Sequence, residues 1–91
     1  MLLEDVKNHL DITWDDEAGD RKLSSLIESG KLYLCRTAGA ELLFEGDDVD
    51  HGALILLKVY VMYARSNALD EFGKRYSDDL SALREKYQSK L

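Results

Sequence analysis

Leu2, Leu3, Val6 and Leu10 fall on one stripe at helical spacing and predict a first helix over residues 2–10. Glu4 and Asp5 stand in its opening turn, where the helix dipole favours acids. The stretch DITWDDEAGD at 11–20 is a turn crowded with Asp, a residue type that accepts the open N–H groups at helix starts. A second helix is therefore expected from Asp15 or Asp16 to about Ala38. Leu23, Leu26, Ile27, Gly30 and Leu34 form its apolar face, and Gly39 is its stop. Residues 39–50, GAELLFEGDDVD, make the one connection longer than a turn.

From about Asp50 to Ser66 the pattern changes character. Ala53, Leu54, Ile55, Leu56, Leu57, Val59, Tyr60, Val61, Met62, Tyr63 and Ala64 are apolar almost all round, which marks a helix buried by its neighbours on most sides. Phe72, Tyr76, Leu80, Leu83 and Tyr87 follow at spacings of 4, 4, 3 and 4 and predict a fourth, amphipathic helix. Gly73 is its candidate bend, with a start at Asp70 or Lys74. The fold class is thus all-α: a small bundle of about four helices around a central apolar helix at residues 50–66, with one longer loop at 39–50. Its expected core is Leu26, Ile27, Leu34, Leu56, Val59, Tyr60, Tyr63, Tyr76, Leu80 and Leu83.

Composition narrows the function classes. Ninety-one residues fall below the usual ~100–200 of a domain, so 1–91 reads as a single unit. The absence of proline agrees with helices joined by few rigid turns. Twelve Lys and Arg against 18 Asp and Glu leave a net charge of −6, with no basic block. Sequence-specific nucleic-acid binding is therefore not expected, because phosphate neutralisation supplies most of such affinity. The lone Cys35 favours a reducing compartment. No leader is expected from an opening that runs straight into Glu4 and Asp5, and the longest apolar stretch, broken by Lys58, is too short to span a bilayer. The chain reads as soluble and intracellular.

Candidate chemistry is sparse. Read from Asp15, an EF-hand loop would place its sixth and twelfth residues at Asp20 and Leu26; read from Asp16, at Arg21 and Ile27. Neither supplies the required Gly and Glu. Asp47, Asp48, Asp50 and His51 are possible ligands close together in sequence, but the only other Cys or His residues are His9 and Cys35. An acidic loop ending in the cap of the third helix is the simpler reading. No phosphate loop, dinucleotide fingerprint or marked nucleophile occurs, so no enzyme activity and no cofactor are expected. Trp14 and the triplet Leu42-Leu43-Phe44 sit in connections, where large apolar side chains need a reason. They either fold back to cap the bundle or form an interface with another chain. Residues 1–57 carry a net −8 and residues 58–91 a net +2, a polarity that suits oriented association.

The opening LLEDVKNHLDITWDDEAGDRKLSSLIESGKLYL, a polar loop and then ALILLKVYVMYARSN resemble the head–tail connector (head-completion) proteins of long-tailed phages and prophages. The likeness rests on helix order, the acidic turn before the second helix, and a central apolar helix ending in Tyr63 and Arg65. It implies a helical subunit that self-associates into a ring beneath the portal, usually ~twelve-fold, extending the DNA channel and docking stopper or tail-completion proteins. On this likeness Leu42, Leu43, Phe44, Asp47 and Asp48, with Trp14, are candidate subunit or partner contacts. DNA would pass through the ring without specific binding, and no membrane partner is implied. The location would be the host cytoplasm during assembly and then the virion head–tail junction. The other reading of the same composition is a small acidic regulatory protein of antitoxin or anti-repressor type.

Overall fold

The long apolar run becomes the helix on which much of the molecule is built. In the computed structural model, which describes residues 2–10, 12 and 17–88, five helices follow in order. They are α1 (Leu2–His9), α2 (Glu17–Ala38), α3 (His51–Arg65), α4 (Leu69–Arg75) and α5 (Ser77–Gln88). The described residues contain no strand. The expected all-α bundle is found, with one correction: the fourth helix is two.

The break falls at Tyr76, and Gly73 lies inside α4. Its cause is legible in charge. Lys74 and Arg75 close α4 and Asp78 and Asp79 open α5, so each helix end carries the sign its dipole favours. Two hydrogen bonds meet at the bend: Tyr76 N–H donates to Phe72 O at 3.0 Å, and Leu80 N–H to Tyr76 O at 2.8 Å.

The other ends behave as their residues dictate. Gly39, at φ +70°, ends α2, and the N–H groups of Gly39 and Ala40 both donate to Cys35 O, the usual glycine stop. Asp50 caps α3, its Oδ1 accepting Ala53 N–H at 3.1 Å. At the far end of α3, Asn67 takes φ +56°. Its N–H donates to Ala64 O while Ala68 N–H donates to Tyr63 O, so an asparagine does what glycine does after α2.

All five helices contribute to one hydrophobic cluster. Ile27, Leu34, Leu56, Val59, Tyr60, Leu80 and Leu83 are buried in it as expected. Leu26, Tyr63 and Tyr76 are only half-buried and pack against its edge. Two buried residues come from the loop, Leu42 and Phe44. Gly30 of α2 sits tight against α3: an added Cβ would lie 2.6 Å from Leu57 Cδ1 and 2.8 Å from Tyr60 Cδ1. Only hydrogen leaves room there for the Leu57 and Tyr60 side chains.

Around Phe72, which is 1% exposed, an aromatic cluster joins three helices. Tyr33, Tyr60, Tyr63 and Tyr76 place their ring centroids 5.4–6.0 Å from that of Phe72. Tyr60 meets it edge-on at 86°. Such pairs add about 0.5–1.5 kcal/mol each beyond area burial. Lys7 of α1 is mostly buried, and its Nζ reaches Asp20 Oδ1 of α2 at 3.0 Å. No described helix is long and apolar enough to cross a membrane.

Candidate functional site

The loop before α3 shows how the apolar triplet is used. Leu42 and Phe44 are buried and Leu43 between them is 54% exposed, the alternation of an extended segment. Leu43 O accepts Asp50 N–H at 2.9 Å, and Gly46 turns the chain at φ +90°. The expectation that the whole triplet lies at an interface is therefore corrected. Leu42 and Phe44 fill the core, each gaining about 1.5–3 kcal/mol from burial, and Leu43 alone faces outward. Asp47 and Asp48 are exposed at the loop tip. Trp14, together with Asp15 and Asp16, lies outside the described residues.

Asp50 does more than cap α3. Its side chain is only 7% exposed, and its Oδ2 accepts Lys86 Nζ at 3.0 Å and a short hydrogen bond from the Tyr87 hydroxyl. Burial alone would push this carboxyl up. Hydrogen bonds from Tyr87, Ala53 and Lys86, with the Lys86 charge, outweigh it and hold the group at about 2, below its ordinary 3.8. The same hydrogen bond to Asp50 is the main reason that the Tyr87 phenol is pushed up to about 12, with burial adding to it. This node fastens the loop and the start of α3 to the last turn of α5. It is structural: each partner is satisfied, and nothing reactive is left over.

Beside it, α3 and α5 share the lining of a surface hollow. The hollow, of about 400 Å³, is lined by Ile55 and Leu56 of α3, Asp79, Ala82 and Leu83 of α5, and Tyr76 before α5. Ile55 is 60% exposed. On the outside of α2, Leu32 is 56% exposed beside Tyr33 and Arg36. These two places and Leu43 carry the most exposed large apolar side chains among the described residues, with Met62 and Leu69 less so. The sequence reading missed Leu32 and Ile55. Ile55 belongs to the helix that is apolar almost all round, but a helix with neighbours on three sides still has a fourth.

Among the described residues no three Asp, Glu, His or Cys side chains gather as a metal site. Asp47, Asp48 and His51 are exposed near the start of α3, Asp50 is committed to its node, and Cys35 is a half-buried free thiol. What the arrangement offers chemically is contact: apolar side chains flanked by charge, on more than one surface. No known protein family, characterised protein or solved structure matches this chain.

Proposed function

We propose that the protein is a structural adaptor of a phage or prophage virion, forming a ring beneath the portal that extends the DNA channel and docks the stopper or tail-completion protein. Its place would be the head–tail junction. The observation that carries this reading is the presence of separate exposed apolar positions, Ile55 and Leu32 foremost, on a small helical subunit whose core is otherwise closed. Isolated apolar side chains on a surface are ordinary, but one set in an apolar hollow with a charged edge suits a protein contact. Support comes also from the likeness in helix order. The acidic loop tip at Glu45, Asp47 and Asp48 would not retain DNA passing nearby, since like charges repel.

That same acidic tip favours a second reading, a small regulatory protein whose surface competes with nucleic acid for a basic partner. Gene neighbourhood separates the two. Capsid, portal and tail genes alongside support the adaptor, and a toxin or repressor gene supports the regulator. The direct test is negative-stain imaging of the protein with and without the portal encoded beside it. Rings on the portal are expected; a chain that ignores the portal would refute the adaptor reading.

A further inference from the structure

We infer that the hollow between α3 and α5 receives the outer face of α2 from a second copy of this chain, in a head-to-tail contact. The inference rests on the self-assembly reading above and names the surfaces that would carry it. Glu28, Leu32 and Arg36 are all exposed and stand at i, i+4 and i+8 on one stripe of α2. Leu32 lies two residues from both Gly30 and Leu34, about 200° round the helix from each, so the stripe points away from the buried face. Along α5, Asp79, Ala82 and Lys86 are exposed at i, i+3 and i+7 on the edge of the hollow.

The two stripes are complementary when the helices run antiparallel. One reads acid, apolar, base over about 12 Å; the other reads acid, apolar, base over about 10.5 Å. Reversing one sets Arg36 against Asp79, Leu32 against Ala82 and Ile55, and Glu28 near Lys86. Arg36 and Asp79 are the decisive pair, because neither makes an ion pair or side-chain hydrogen bond with a described residue of its own chain. The hollow has room for the Leu32 side chain, and its apolar floor supplies what Leu32 lacks at home. No α2 residue lines the hollow. Each copy therefore presents the stripe on one element and the receptor on two others, which makes the contact heterologous, able to repeat from copy to copy into a closed ring.

Two exposed charge reversals test this, with circular dichroism to confirm that each variant folds. Sedimentation across a concentration series, in solution and on the portal, reads assembly of wild type, Arg36→Glu alone, Asp79→Arg alone, and the two variants mixed in equal amounts. Each single variant sets like charges together at every contact and should weaken assembly about tenfold or more. Where the two variants alternate around the ring every contact again sets opposite charges together, so the mixture should regain most of it. Single variants that assemble as wild type does would overturn the contact while leaving the ring intact. A mixture no better than its components would also overturn it. A wild-type chain monomeric in both settings would remove the contact together with the assembly reading.

Discussion

Asp50 and Tyr87 are 37 residues apart in the chain and joined by a short hydrogen bond from the phenol to the carboxylate. The bond closes the start of α3 onto the last turn of α5, and it gives stability an acid dependence. The Asp50 carboxyl sits at about 2 in the folded chain against 3.8 as its ordinary value. A depressed carboxyl stabilises the fold fully above its unfolded value and loses that effect as pH falls through the folded one. Between pH 4 and 2 the protein should therefore lose about 2 kcal/mol from this group. Urea unfolding at pH 6, 4, 3 and 2 measures the loss. In Asp50→Ala that part of the slope should vanish.

The Tyr87 end of the bond acts at the opposite extreme. Its phenol is pushed up to about 12 from 10.0, so its contribution is complete below pH 10 and is lost as pH rises through 12. Tyr87→Phe should lower stability at pH 7 by about 1–2 kcal/mol, since it takes away a hydrogen bond to a charged group. It should also raise the Asp50 carboxyl toward its ordinary value, a shift that carbon-detected NMR titration reports. An unmoved Asp50 titration would mean that Lys86 and the helix cap suffice.

Two glycines within helices should answer the same substitution with opposite signs. At Gly30 an alanine Cβ meets Leu57 Cδ1 and Tyr60 Cδ1 below 3.0 Å, and Leu57 is fully buried with nowhere to swing. Overpacking of about 1–3 kcal/mol exceeds the ~1 kcal/mol that alanine gains in helix propensity. Gly73 in α4 has nothing within 4 Å of an added Cβ, and its φ is not positive. Gly73→Ala should stabilise by about 0.5–1 kcal/mol. Thermal melts of the two variants decide it.

How far the fold was legible follows from which signals are local. The third helix could be placed within a residue at each end, because its apolar run and Asp50 cap are both in the text of the chain. Gly39 marked the end of α2 for the same reason. The break at Tyr76 was missed because Phe72, Tyr76, Leu80, Leu83 and Tyr87 keep helical spacing straight through it; the charge change from Lys74-Arg75 to Asp78-Asp79 was the available signal. Phe72 as the centre of four tyrosines was not legible, since Tyr33 of α2 and Tyr60 and Tyr63 of α3 reach it from helices whose packing angles no spacing reveals. In the candidate site, Leu42-Leu43-Phe44 stood out as apolar residues in a loop, but their alternation depends on the segment being extended. Leu32 and Ile55 as outward-facing positions follow only once it is known which faces the other helices cover.

The loop triplet gives a clean comparison. Phe44→Ala removes a buried ring and should cost about 3–5 kcal/mol, enough to threaten a chain whose whole stability is of the order of 5–13 kcal/mol. Leu43→Ser, at an exposed position, should change stability by less than about 0.5 kcal/mol. Urea midpoints report both. Equal effects would mean that the loop does not hold its alternating pose in solution.

The adaptor reading stands or falls on mass. Native mass spectrometry of the protein expressed together with its neighbouring portal should find a complex holding one adaptor ring per portal, with copies in the portal's own ~twelve-fold number. A protein that stays monomeric beside an assembled portal, leaving the portal's mass unchanged, would contradict it.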